Sequence, residues 1–168
     1  MTTAADARSD GRSILDLHPA IDLHADTLMW SRWISYDLLA RHTPPLPRAA
    51  LGGHVDIPRM RTGGMGAQFF GLVSLPFFGR SGGMARTVHE QIDALDEAIV
   101  RSRGALRKVR TADEIAQCQQ DGAISALLGI EGAHTLEGSI DALDTFARRG
   151  VRYLGLSHFS ANEACYPA

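Results

Sequence analysis

Two short stretches constrain the fold more than anything else in the chain. Residues 68–75, Gln-Phe-Phe-Gly-Leu-Val-Ser-Leu, and residues 123–130, Ala-Ile-Ser-Ala-Leu-Leu-Gly-Ile, are apolar almost throughout. A strand with one wet face alternates in polarity, whereas a near-continuous run of this length belongs to a strand covered on both sides, as in a parallel sheet under helices. Shorter strands are expected at 20–25, after Pro19, and at 151–157, ending at His158. Helical signals fall between them. Met84, Val88, Ile92, Leu95 and Ile99 recur at helical spacing. Thr111-Ala112-Asp113-Glu114 reads as a capping box opening a short helix. A further helix is expected over 139–149, with Ile140, Leu143, Phe146 and Ala147 inward and Gly150 as its stop. Strands alternating with helical crossovers make an α/β fold around a parallel sheet.

The connections carry fewer signals. Residues 1–18 read as a polar N-terminal tail and lead-in, with a short helical or irregular piece at 13–18, and residues 19–168 as one domain. Residues 28–61, with Trp30, Trp33, Tyr36 and the prolines 44, 45 and 47, are too many for an ordinary connection, so they form an active-site loop or hold helices of their own. Asp56 is placed to cap a helical turn that has Pro58 near its start. Gly63, Gly64 and Gly66 precede an apolar run instead of following one, the wrong order for a phosphate cradle, and are read as a tight turn into the second strand. Residues 76–83 form a glycine-containing loop, and nothing after residue 158 suggests an element.

A net charge of -2 leaves neither sign dominant, which argues against a dedicated nucleic-acid binder or a basic membrane-surface protein and favours small substrates. No run approaches the roughly 20 apolar residues of a membrane span, and the first dozen residues lack the apolar stretch of a secretory signal, so the cytoplasm is the expected location. Cys118 and Cys165 show neither metal-finger nor redox spacing.

Chemistry concentrates in Ile21-Asp22-Leu23-His24-Ala25-Asp26-Thr27. Alternation along a strand puts Asp22, His24 and Asp26 on one face and Ile21, Leu23 and Ala25 on an apolar other. An imidazole and a carboxylate two residues apart can grip a divalent cation, although the same pair arises by chance with His24 merely packing or capping. Glu131 stands where a buried strand runs out, either as a third carboxylate donor or as a solvated capping group. His158, also at a strand end, is a hydrogen-bonded core residue or a group that polarises a carbonyl. His134 is a loop histidine or a support for neighbouring ligands. His18, His42, His54 and His89 carry no site-like spacing. His24, Asp26, Glu131 and His158 all fall at carboxyl ends of strands, the face on which barrel enzymes build their sites.

Four blocks in order, Ile21 with the following Asp-Leu-His-Ala-Asp, residues 55–61 with 64–70, residues 130–134, and Gly-Val-Arg-Tyr-Leu-Gly-Leu-Ser-His at 150–158, resemble the membrane dipeptidase (renal dipeptidase-like) family, peptidase family M19. The resemblance runs from about residue 19 to residue 160. It implies the N-terminal half of a (β/α)8 TIM-type barrel of the amidohydrolase type, hydrolysing dipeptides at a site of two zinc ions through a bridging water. By resemblance His24 and Asp26 hold one zinc, Glu131 bridges both and shares in catalysis, and His158 binds substrate and stabilises the oxyanion. Asp22 falls to strand-end hydrogen bonding and His134 to support.

Length departs from the family. Its second metal takes two histidines from later strands, and a later aspartate handles the proton, whereas a full barrel needs about 250 residues. An N-terminal fragment, catalytically weak alone, is therefore expected, with a homo-oligomer possible for the complete protein. Two other readings stand beside it: another amidohydrolase-type activity, on a lactam or an N-acyl amino acid, or a non-enzymatic half-barrel that assembles with a partner to cover its edges.

Overall fold

The computed structural model describes residues 14–43, 53–75 and 83–167. Five strands form one parallel sheet: β1 (Ala20–Ala25), β2 (Met65–Val73), β3 (Leu106–Lys108), β4 (Ile124–Glu131) and β5 (Val151–Gly155). The helices are α1 (Thr27–Ile34), α2 (Ile57–Gly63), α3 (Met84–Arg101), α4 (Ala112–Gln120) and α5 (Asp141–Arg149), with a 3-10 turn at Ala133–Leu136. Strand β1 pairs with β2 and β2 with β4. The far edge of β4 is shared: β3 pairs with its first residues and β5 with its last. Strands β1, β2, β4 and β5 are thus successive neighbours with helices between them, four strand units of a (β/α) barrel. Strand β3 has no counterpart in the sequence reading, since three residues bordered by charges carry no periodicity.

Burial follows the apolar runs. Strand β4 is buried from Ile124 to Ile130, and in β2 only Met65 and Phe69 are partly exposed. Phe70, Leu72, Leu128 and Ile130 pack against Leu28 of α1, Val88, Ile92 and Leu95 of α3 and Phe146 of α5. The opposite face carries a smaller cluster in which Ala67, Leu127 and Phe69 meet Cys118 and Ile115 of α4. Helix ends are set locally. The Asp56 carboxylate accepts from the Arg59 N–H, Thr111 and Glu114 complete the reciprocal capping box, and Gly150 ends α5 with a φ of 107°. Gln91 on α3 closes the end of β2, its amide donating to Val73 O at 2.7 Å and accepting from Val73 N–H at 3.2 Å. A side chain there replaces a strand partner.

Of the two alternatives for residues 28–61, helices of their own is the one found: the run opens with a full helix, α1, which begins at Thr27. Three expectations are corrected. Ile140 and Ala147 are exposed, because α5 starts only at Asp141 and turns Phe146 to the core with Leu143 half-buried. Ile21 and Leu23 are 45% and 68% exposed, since no described element covers that face of the edge strand β1. Finally, β1 has the expected span of 20–25, but Asp26, read as alternating along it with Asp22 and His24, belongs to the junction with α1. A turn of helix at residues 14–17 matches the expected lead-in, with the His18 N–H bonded to Ile14 O at 2.7 Å. The loop expected at 76–83, save Gly83, and prolines 44, 45 and 47 lie outside the described residues.

Two substitutions separate local from tertiary contributions. Thr111→Ala should cost about 1 kcal/mol in urea unfolding, the usual loss of a cap. Gln91→Leu should cost roughly 1–3 kcal/mol, because it strands the buried Val73 amide and carbonyl.

Candidate metal centre

Three donors converge at the carboxyl ends of β1 and β4. His24 Nε2 lies 3.0 Å from Asp26 Oδ1 and 3.9 Å from Glu131 Oε2. One ligand atom from each of the three lies within 4.8 Å of the others, a spacing suited to a single cation. Asp26 occupies the N-cap position of α1, yet its side chain makes no cap hydrogen bond. Its Oδ1 is buried and makes no hydrogen bond at all, even to the nearby imidazole. A carboxylate oxygen so placed is costly unless something else meets it, and a cation would. Glu131 faces two ways, Oε2 toward His24 and Oε1 toward His158 Nε2 at 3.4 Å. The donor set of one imidazole and two carboxylates suits zinc.

The floor of this site is made of absent side chains. Gly71 and Gly129 are paired across β2 and β4. A Cβ at Gly71 would overlap Asp26 Oδ1 and press on the His24 ring, and one at Gly129 would enter the Tyr153 ring. Tyr153 on β5 lies across that gap, against Phe69 at 5.4 Å between centroids, and its hydroxyl reaches His24 Nδ1 at 2.9 Å. Burial, then the negative charge of Asp26, Glu131 and Asp22, pushes the Tyr153 phenol above its ordinary value, so it keeps its proton at neutral pH.

His158 follows β5 with only 11% of its side chain exposed, and its Nδ1 is buried without a partner. His134, in the 3-10 turn, is buried, with Nε2 2.6 Å from Ser74 O and its ring stacked on His158 at 6.1 Å. Gly132, at a φ of 99°, makes this turn possible, since a Cβ there would meet both histidines. Asp22 is not one of the converging donors; its Oδ1 accepts from the His24 N–H at 2.7 Å and braces the strand where the β1–β2 register breaks.

All six residues singled out from the sequence are therefore neighbours: His24, Asp26 and Glu131 as a converging set, His158 beside Glu131, and Asp22 and His134 braced against backbone. Of the remaining histidines, His42 stacks on Tyr36 and bonds Asp37 O, and His89 packs on Phe146, both away from the site. Sequence reasoning missed Tyr153, Gly71 and Gly129. The only signal for them was a glycine interrupting each buried strand, which marks a close approach by another group without saying which.

Comparison with known proteins bears on this geometry. The family model of membrane dipeptidase (peptidase family M19) matches residues 8–166. The dipeptidase aclJ of Aspergillus oryzae is 31% identical over 163 residues, 93% of this chain and 38% of its own length. The dipeptidase tcpJ of Claviceps purpurea is 32% identical over 123 residues, 69% of this chain and 29% of its own. Among solved structures, the metallopeptidase dipeptidase AC of family M19 superposes with a TM-score of 0.64 at 28% identity, over 82% of this chain and 42% of that one. A metallopeptidase from Rhodobacter sphaeroides, crystallised with a phosphinate mimic of the dipeptide L-Ala-D-Ala, gives 0.62 at 24%, over 82% and 45%. This chain spans less than half the length of these relatives. With almost all of its residues inside the family match, it belongs to the membrane dipeptidase family, peptidase family M19.

Proposed function

We propose that this chain carries the first part of a zinc-dependent dipeptidase site. The observation that carries the reading is the convergence of His24, Asp26 and Glu131 on one point, with a buried Asp26 oxygen that makes no hydrogen bond. His24 and Asp26 would hold one zinc, and Glu131, with an oxygen turned to each side, is suited to be shared with a second. When bound, zinc supplies Lewis acidity, polarising a carbonyl oxygen and lowering the pKa of water, so that no covalent acyl-enzyme is needed. The chain's own residues provide the rest. His158 faces the same space and can donate a hydrogen bond to a substrate carbonyl oxygen as charge develops on it. Its mobility is limited by the stack on His134, which is itself tied to Ser74 O. Gly71 keeps the floor low enough for ligands to approach each other.

Dipeptides as substrates rest on the M19 relatives that are dipeptidases. Three donors suffice for one cation. The family resemblance calls for two further histidines as ligands of a second ion and an aspartate that handles the proton, all from later strands, and full turnover would depend on them.

The test is zinc content by competition titration and hydrolysis of a dipeptide panel, in this chain and in any longer product of the same reading frame. His24→Ala should abolish zinc binding in either length and dipeptide hydrolysis wherever it is present. Undiminished binding in that variant would remove β1 from the mechanism. Gly71→Ala should weaken zinc binding by roughly 10–100-fold, the range seen when ligand orientation is disturbed, while far-ultraviolet circular dichroism stays unchanged.

A further inference from the structure

Leu156 O, one residue beyond β5, is where the turns after β4 and β5 meet. It accepts from the Ala133 N–H at 3.2 Å, at the head of the 3-10 turn that follows Glu131, and from Asn162 Nδ2 at 2.9 Å. The rest of the Asn162 amide works locally. Nδ2 also donates to Cys165 Sγ at 3.8 Å, and Oδ1 accepts from the Ala164 N–H at 2.8 Å and the Cys165 N–H at 3.2 Å, an Asx-type turn. An amide has two donor hydrogens and an oxygen with two acceptor sites, and here all four are engaged. Aspartate has the same shape but cannot donate when ionised, so asparagine alone fits this junction.

What the junction encloses is His158. Residues 157–161 belong to no strand or helix, so their path is set by the closure between Leu156 and Asn162. The histidine ring does little to hold itself. Its Nδ1 is buried without a partner, and its Nε2 lies 3.4 Å from Glu131 Oε1. Stacking on His134 at 6.1 Å and contact with Phe159 at 4.0 Å between centroids restrain its tilt. Where the ring stands along the face is left to the backbone that carries it.

We propose that Asn162 is a positioning residue for His158: by joining the tail to Leu156 O it closes the short loop that carries this histidine and sets Nε2 beside Glu131. The same carbonyl takes the Ala133 N–H, so the exits of Glu131 and His158 from their strands are fixed to one atom. A group that stabilises developing charge works only when it is placed beforehand. The inference rests, for its purpose, on the reading of His158 as the donor to a substrate carbonyl, but the loop closure and the place of the ring belong to the metal-free chain.

The experiment is 1H–13C NMR of the metal-free chain labelled in its histidine rings, with His158→Ala to assign the signal, on the wild type, Asn162→Asp and Asn162→Ser at pH 7. Both variants keep an acceptor for the local turn; aspartate has no proton for Leu156 O and serine is too short to reach it, so one stands in if the other unfolds. In the wild type the His158 ring protons should be displaced by the ring current of Phe159. Both variants should lose that displacement, with zinc affinity in competition titration unchanged. In a longer product that hydrolyses dipeptides, Asn162→Asp should lower kcat by up to about 100-fold, the cost of misplacing a group by ~1 Å, with KM changed far less. A His158 signal that keeps its displacement in both variants would overturn the proposal, and a lowered thermal midpoint beside it would make the asparagine merely structural. So would a fall in zinc affinity that accompanies the spectral change, since Asn162 would then act on the metal donors. A displaced ring with kcat unchanged supports the closure and faults the role given to His158 instead.

Discussion

The site depends on two side chains that are not there. Gly71 and Gly129 face each other across β2 and β4, the most deeply buried pair of strands, and together open a gap in the middle of the sheet. Into one half of the gap come Asp26 and His24, and into the other comes the ring of Tyr153. Glycine in a strand interior weakens the strand and offers nothing to pack. Here the loss is offset by burial of the opposite face, where Phe70, Leu72, Leu128 and Ile130 join the helices in the main core. One face of each strand holds the sheet together, which frees the other to be hollow.

A second local rule is broken at Asp26. An aspartate at an N-cap ordinarily accepts from the first free N–H groups of its helix, worth about 1 kcal/mol. Asp56 does this at the head of α2, where Oδ1 accepts from the Arg59 N–H while Oδ2 accepts from the Arg59 guanidinium and the His42 N–H. Asp26 instead leaves α1 uncapped and turns its oxygen toward His24. Departures of this kind are expected where function competes with stability.

Much of this was legible in the sequence because burial on both faces of a parallel strand leaves a continuous apolar run, and because capping boxes and glycine stops are local. Strands β2 and β4, helix α3, the Thr111 box and the Gly150 stop all rest on such signals. His24, Asp26, Glu131 and His158 could be grouped from strand ends alone, since parallel strands bring those ends to one side. Tyr153 could not. Its partner, His24, lies 129 residues away, and in a sequence it is one more aromatic in a strand. The exposed Ile21, Leu23, Ile140 and Ala147 were misjudged for the complementary reason: periodicity reports which face is apolar, but not whether another element lies against it.

Charge gives the last step. Asp22, Asp26 and Glu131 bring three carboxylates near one another, and their combined field acts with burial to keep the Tyr153 phenol protonated. Asp22 is met by a backbone N–H, and Glu131 has an imidazole at each side. Asp26 Oδ1 is buried and unmatched. Carboxylates out of water are tolerated only when paired or bound to a cation. The Tyr153 phenol, which keeps its proton, cannot balance Asp26 and Glu131. A divalent cation between Asp26, Glu131 and His24 Nε2 would balance both charges at once and give the orphaned oxygen its partner. The hollow over the glycines, the uncapped helix and the phenol behind the imidazole then have one common cause.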